Sequence, residues 1–187
     1  MQNLRAIGLM IAAVAAFAVS DALIKVITQS TSVSQTLFIV AISNLVWFLP
    51  RLIMANTPVF SSDAYHPAVV LRSLGEVGGS FGIVGGLALF PLATVSAIMQ
   101  AQPLVVMLVA ALFLGETVGW RRWAAGSVGF VGVLIIIQPD RSLDLAWLLP
   151  LFGVLGLTAR DIGTRLLPSE MSADFAITWA VLPMIVK

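Results

Sequence analysis

The chain has 187 residues, of which 59% are hydrophobic and only 10% are charged, and its net charge is +1. Soluble domains carry about 25% charged residues, so a chain of this composition cannot hide its apolar surface from water and belongs in a lipid bilayer. The small net charge excludes a nucleic-acid partner of the usual electrostatic kind. Because the chain has no cysteine, it forms no disulfide and no thiolate metal site, and we expect no metal or cofactor.

Long apolar runs follow one another along the whole chain. A helix needs about 20 apolar residues to cross the hydrocarbon core, and barrel strands would alternate in polarity, whereas these runs are continuous. An N-terminal signal peptide is an unsatisfactory alternative, since similar runs continue far beyond it. The sequence therefore predicts an all-α, multi-pass membrane protein. The predicted spans are 6–27, 34–55, 67–90, 92–115, 122–138 and 145–167, with a seventh beginning near Ser172.

The basic residues are distributed unevenly between the two predicted membrane faces. With the N-terminus in the cytoplasm, the far face receives only Lys25 and Arg141. The cytoplasmic face then receives Arg5, Arg51, Arg72, Arg121, Arg122, Arg160 and Arg165. Cytoplasmic loops of membrane proteins carry an excess of Lys and Arg. We therefore predict a protein of the cell membrane whose N-terminus lies in the cytoplasm.

Two segments indicate an internal repeat. "AVSDALIKVI" (18–27) aligns with "TARDIGTRLL" (158–167), so that Asp21 matches Asp161 and Lys25 matches Arg165. Five spans separate the two copies, and an odd number reverses the direction through the membrane. Such an inverted-topology repeat is typical of secondary transporters, although chance similarity of two apolar helices is the alternative. We therefore predict a first five-helix repeat at 1–138 and the start of a second, truncated repeat at 139–187.

Three acid–base pairs have i, i+4 spacing, which places both members on one helix face: Asp21/Lys25, Arg72/Glu76 and Asp161/Arg165. Long basic side chains can reach the membrane surface, but a short carboxylate cannot, so each acid needs a partner, a wet cavity or a proton. One interpretation is an ion pair that fixes helix packing. The other is a functional site, in which the first and third pairs form matching outer and inner gates. Burial favours the neutral form of an acid, so Asp21 or Glu76 is a candidate carrier of a coupling proton.

The stretch "MQAQP" (99–103) predicts a kink, because Pro103 removes a helical hydrogen bond and crowds the carbonyl of Met99. Gln100 and Gln102 would then offer neutral donors and acceptors, either to a solute or to a neighbouring helix. Glycines at helical spacing predict close helix packing at positions 75, 78, 79, 82, 85 and 86 in the third span and 126, 129 and 132 in the fifth.

The stretch from Gly85 to Pro139 resembles the EamA-like family of the drug/metabolite transporter superfamily. The resemblance rests on the order and spacing of several elements: Pro91-Leu92-Ala93, Pro103, Leu114-Gly115-Glu116, Trp123 and the glycines of the fifth span. It implies ten helices in two inverted five-helix halves, a central cavity lined by spans 1, 3, 4 and 6, and transport of small organic solutes by alternating access. The chain departs from that pattern by ending inside the seventh span.

We therefore predict a secondary transporter of a metabolite or drug, with an intramembrane enzyme and a non-transporting membrane module or truncated remnant as alternatives. The predicted partners are a small organic solute, a coupling proton and the lipid bilayer, and the full-length protein is expected to be a monomer. Amino acids, S-adenosylmethionine, riboflavin-like metabolites and exported drugs are the solutes that the resemblance implies. The candidate binding or coupling residues are Asp21, Lys25, Arg72, Glu76, Gln100, Gln102, Asp161 and Arg165.

Overall fold

The computed structural model describes residues 2–55, 61–137 and 145–185, and within these ranges it is helical with no strand. The predicted all-α architecture is therefore confirmed. The helices are α1 (Gln2–Ile27), α2 (Val33–Met54), α3 (Pro67–Leu89), α4 (Leu92–Met99), α5 (Gln102–Phe113), α6 (Trp120–Ile137), α7 (Leu148–Arg165) and α8 (Ala173–Val181). Short 3-10 turns occupy Ser62–Tyr65, Leu145–Trp147 and Leu182–Met184.

Five described stretches are long and apolar enough to cross a membrane: Leu4–Ile27, Val33–Met54, Pro67–Leu89, Leu92–Phe113 and Leu145–Arg165. Each agrees with a predicted span to within two residues. The predicted span 122–138 corresponds to α6, although residue 138 itself lies outside the described residues. The predicted seventh span begins at Ser172, which is the residue that precedes α8.

Side chains close the first turns of α2 and α3. The Ser32 hydroxyl accepts a hydrogen bond from the Gln35 backbone N–H (3.3 Å), and the Gln35 side chain accepts one in return from the Ser32 N–H. This reciprocal capping box satisfies two donors that a helix start leaves free. At α3, His66 Nδ1 accepts from the Ala68 N–H (3.2 Å), and Pro67 occupies the first helical position. The only histidine of the chain therefore serves as a helix cap.

The fourth span is broken into α4 and α5 at Gln100 and Ala101. The Ala101 N–H bonds to the Ile98 carbonyl three residues earlier (2.9 Å), so the regular i to i−4 pattern is interrupted there. Pro103 is the second residue of α5, and it cannot donate to a carbonyl in the preceding turn. The predicted kink is therefore present, one turn before the proline that causes it.

The tightest helix crossing joins α3 to α7, and glycines on both helices form it. A β-carbon added at Gly82 would lie 2.5 Å from the Cα of Gly153, and one added at Gly75 would lie 2.7 Å from the carbonyl oxygen of Gly156. At the far end, a β-carbon at Gly163 would lie 2.7 Å from the backbone N of Arg72. The two backbones thus touch along most of their length, as the glycines of the third span predict.

The glycines of α6 follow the prediction less closely. A β-carbon at Gly126 would meet the side chains of Leu104 and Met107 from α5, which is the expected helix packing. Gly129 and Gly132 face open space instead, because no described residue lies within 4 Å of an added β-carbon. Close packing is therefore seen at one of the three α6 positions.

Candidate functional site

Charged and polar side chains from three helices meet where α3, α5 and α7 approach one another. We call this set the charged cluster; its members are Arg72 and Glu76 of α3, Gln102 of α5, and Arg160, Asp161 and Thr164 of α7. Glu76 Oε2 lies 3.9 Å from Arg72 Nη2 and 3.9 Å from Arg160 Nη1. One carboxylate is therefore shared between two guanidinium groups on different helices.

Asp161 is the second acid of the charged cluster, and it too has two partners. Its Oδ1 accepts from the adjacent Arg160, with N–O separations of 2.9 Å from Nη2 and 3.0 Å from Nε. Its Oδ2 accepts a 2.8 Å hydrogen bond from Gln102 Nε2. Gln102 is the first residue of α5, so this bond links α5 to α7 immediately after the break in the fourth span.

Arg72 is the most deeply buried member, with 9% of its surface exposed. Its Nη1 donates to the hydroxyl of Thr164, and that hydroxyl donates in turn to the Arg160 carbonyl at 2.8 Å. The Nε atom of Arg72 is buried and has no hydrogen-bond partner among the described residues. Burying a charged guanidinium costs desolvation free energy, and the carboxylate of Glu76 and the hydroxyl of Thr164 offset that cost.

The glycine crossing explains how the charged cluster forms. Gly75 lies directly against the backbone of Arg160, and Gly163 lies against that of Arg72, so the two helices approach without side chains between them. The charges then meet across the crossing. Two arginines and two acids give no net charge, which is the arrangement that a low-dielectric environment tolerates.

Of the three predicted i, i+4 pairs, only Arg72/Glu76 forms within the described residues. Arg165 pairs with Glu116 instead, at 3.4 Å between two half-exposed side chains. Lys25 donates to the backbone carbonyls of Leu87 (2.6 Å) and Phe90 (2.9 Å) rather than to Asp21. Neither Asp21/Lys25 nor Asp161/Arg165 forms an ion pair among the described residues, because both basic side chains bind groups outside their own helix.

The two candidate glutamines differ in exposure and in hydrogen bonding. Gln102 belongs to the charged cluster, whereas Gln100 is exposed and its side chain makes no hydrogen bond within the described part of the chain. Asp21 is partly buried on α1 and has no ion-pair partner in that same part.

Sequence reasoning missed Arg160, which was counted only as one positive charge at the cytoplasmic face. The available signal was its position inside an apolar span, immediately before a candidate acid. Its bridging role could be recognised only once α3 and α7 were known to be neighbours.

A separate cavity of about 860 Å³ lies between α2, α3 and α7. Aromatic rings line it at Phe38, Phe81 and Phe152, and polar groups line one end at Thr31 and Gln35. None of its lining residues belongs to the charged cluster. Among the described residues, no group of three or more His, Asp or Glu side chains could hold a metal ion.

These features define the chain as a multi-pass α-helical membrane protein with a charge-balanced polar site between its helices. The sequence profile of the EamA-like transporter family matches residues 4–138, which is more than half of the chain. The chain therefore belongs to the EamA-like transporter family.

Individual relatives carry transporter names. A riboflavin transporter of Rhizobium johnstonii is 34% identical over 136 residues, which make up 72% of this chain and 44% of that protein. An S-adenosylmethionine uptake transporter of Rickettsia bellii is 36% identical over 70 residues, or 37% of this chain and 24% of that protein. A riboflavin transporter of Vibrio cholerae is 30% identical over 87 residues, or 46% of this chain and 29% of that protein. The chain thus spans less than half the length of these relatives. No solved structure matches it at a significant level.

Proposed function

We propose that this chain forms part of a secondary transporter that carries a small organic metabolite across the cell membrane by alternating access. The observation that carries the proposal is the charged cluster, which joins α3, α5 and α7 inside apolar spans. Ionisable groups at membrane depth are expensive, and they usually mark a solute or ion pathway or the elements that open and close it. Family membership and the transporter names of the relatives support the same function.

Within this function, we assign the charged cluster to the inner gate. Gln102 at the start of α5 and Glu116 in the loop after it bind Asp161 and Arg165 of α7, whereas glycine contacts join α3 to α7 along their length. Releasing the two α5 contacts would let α5 swing about the break at Gln100 and Ala101 while α3 and α7 remain together. The inverted repeat, with 1–138 as its first half and 139–187 as the start of its second, would place Asp21 at the corresponding outer gate.

Riboflavin is the first solute to test and S-adenosylmethionine the second. The riboflavin transporter of Rhizobium johnstonii matches 72% of this chain, whereas the S-adenosylmethionine transporter of Rickettsia bellii matches 37%. For a coupling proton, Asp21 is a better candidate than Glu76, because two arginines already hold the Glu76 carboxylate. We further propose uptake as the direction, a monomeric transporter without catalytic activity, and a cell-membrane location with a cytoplasmic N-terminus.

The test measures uptake of labelled riboflavin and S-adenosylmethionine by the intact protein in proteoliposomes, with Gln102→Leu and Gln100→Leu as a matched pair. Gln102→Leu removes a hydrogen bond to a charged acid, so we expect uptake to fall about tenfold or more. Gln100→Leu removes no bond seen in the structure and should leave uptake near the wild-type level. Equal losses in both variants would contradict the gate assignment.

The same assay separates transport from its alternative. If the wild-type protein inserts and folds normally but takes up neither solute nor any other member of a metabolite panel, a non-transporting membrane module becomes the better description.

A further inference from the structure

Lys25 lies near the end of α1 and reaches across to the joint between α3 and α4. Its Nζ donates to two backbone carbonyls, those of Leu87 at 2.6 Å and Phe90 at 2.9 Å. Both carbonyls belong to the end of one helix, and the lysine comes from another helix more than 60 residues earlier in the chain. The contact is therefore a tertiary one that sequence spacing does not reveal.

Pro91 explains why these carbonyls are available. In a continuing helix the Leu87 carbonyl would accept the N–H of residue 91, but proline has none. The Phe90 carbonyl would accept from Thr94, whose N–H bonds instead to the Pro91 carbonyl at 3.0 Å. Backbone carbonyls without a donor are strongly disfavoured in lipid, so Lys25 supplies what the proline removed. Its positive charge also suits the C-terminal end of α3.

The Asp21 carboxylate is an alternative ion-pair partner for the same ammonium group. It lies one helical turn before Lys25, on the same face of α1, and a lysine side chain is long and flexible enough to reach it. In the structure Asp21 has no ion-pair partner among the described residues. Lys25 therefore has two alternative sets of acceptors, one on another helix and one on its own.

Within the part of the chain that the structure describes, no other helix covers the rest of α1. Its residues are exposed from Leu4 to Ser20, and a cavity of about 460 Å³ lies between its C-terminal half and α2. Next to Lys25, Ile24 packs against the buried cluster around Leu87 and Val95. Attachment of α1 is thus concentrated at the turn that carries Lys25.

We propose that Lys25 is a latch that fastens α1 to the α3–α4 joint and that opens when its ammonium group passes to Asp21. The inference rests on the proposed transport function, in which the end of α1 belongs to the outer gate. In the closed state, seen here, the ammonium group satisfies the two carbonyls that Pro91 leaves without a donor. In the open state it pairs with Asp21, and α1 can move away from the joint.

The test measures the distance between α1 and the joint directly. These 187 residues contain no cysteine, so spin labels can be placed at Ala22→Cys and Ala93→Cys, which are both exposed positions, once any cysteine elsewhere in the intact protein is replaced by serine. Pulsed electron paramagnetic resonance in nanodiscs then reads the distance between them. The intact wild-type protein should show a short and a long distance. Lys25→Met should lose the short one, and the conservative variant Lys25→Arg should retain it.

The variant Asp21→Asn tests whether the Lys25 ammonium group passes to the Asp21 carboxylate. It removes the charge that receives the ammonium group, so we expect the long distance to disappear and the short one to remain. A short distance that persists unchanged in Lys25→Met would overturn the latch, and an Asp21→Asn distribution equal to that of the wild type would overturn the transfer to Asp21. The distances do not depend on uptake. If they change as expected while the wild-type protein transports nothing, the latch stands and the proposed function fails.

Discussion

Glu76 is the residue on which the charged cluster depends most. It faces Arg72 along its own helix and Arg160 across the glycine crossing, and only a fifth of its side chain is exposed. Arg72 is buried more deeply still. Removing the carboxylate would leave two guanidinium groups with Asp161 as the one remaining acid of the charged cluster.

Glu76→Gln should therefore destabilise the protein markedly, whereas Glu116→Gln should not. For a fully buried pair, loss of one partner costs ~3–5 kcal/mol, and the 3.9 Å separations and residual exposure of Glu76 reduce our expectation to about 2 kcal/mol. Glu116 and Arg165 are each 49% exposed, and exposed pairs contribute ~0–1 kcal/mol at most. Denaturant unfolding of the purified variants in detergent measures both changes, and similar losses in the two variants would disprove the central role of Glu76.

Local spacing predicted Arg72/Glu76 correctly because helix geometry alone brings positions i and i+4 together. It could not predict the partners of Lys25, Asp161 or Arg165. The partners of Lys25 and Arg165 lie far away in the sequence, and Asp161 binds the adjacent Arg160 and, on another helix, Gln102. Site prediction from this sequence therefore found acids and bases but not most of their pairings.

At the level of elements, the α3–α7 crossing brings backbone against backbone at its glycines. Gly82 and Gly153 leave no room for even a methyl group on either helix. Without a hydrophobic driving force between helices in lipid, such close approach supplies the packing that holds them together. The crossing is also what brings the two halves of the charged cluster together.

Gly82→Ala should weaken this crossing, with Gly129→Ala as its control. The new β-carbon at position 82 would lie 2.5 Å from the Cα of Gly153, so a backbone must shift, and overpacking of this kind costs ~1–3 kcal/mol. At position 129 nothing described lies within 4 Å, so alanine should leave stability unchanged or raise it by up to about 1 kcal/mol through its better helix propensity. Thermal unfolding of the purified chain reports both. A Gly82→Ala variant as stable as the wild type would show that the crossing is not tight in the membrane.

The helices themselves were predictable, and their neighbours were not. Continuous apolar runs fixed the spans to within two residues, and Pro103 fixed the kink, because both depend on local chemistry. The glycines of α3 indicated a close contact without naming α7 as the partner. Glycine spacing alone does not predict a helix contact, because Gly129 and Gly132 have the same spacing on a face that the described residues leave uncovered.

At the scale of the molecule, ion pairs between the described residues place Arg51 and Arg165 close to acids of other segments. Arg51 at the end of α2 pairs with Asp174 at the start of α8 (3.9 Å), and Arg165 at the end of α7 pairs with Glu116 beyond α5. Lys25 lies at the opposite end, where Phe90 stacks on Trp147 with ring centroids 4.5 Å apart. Arg51 and Arg165 thus lie at the end opposite Lys25, which supports the proposed orientation with a cytoplasmic N-terminus; Arg141, predicted on the face of Lys25, lies outside the described residues.

Single cysteines at two exposed loop positions test that orientation. In intact cells, a membrane-impermeant thiol reagent should label Gln29→Cys, which follows α1 on the predicted outer face. Ser169→Cys, between α7 and α8 on the predicted inner face, should react only after the membrane is permeabilised. The same protein without an introduced cysteine provides the blank. The reverse labelling pattern would mean that the N-terminus faces outward.

The α3–α7 crossing also has a consequence for membrane insertion, because α3 is synthesised well before its partner α7. Of the five candidate spans, α3 has the lowest mean hydropathy, and it carries Arg72 and Glu76. Its partner α7 begins 59 residues after α3 ends, which at ribosomal speed is a delay of several seconds. During that interval the glycine face and the charges of α3 are without the helix that completes them. Substitutions at the crossing should therefore act first on how much protein survives membrane quality control, before they alter how well the surviving protein works.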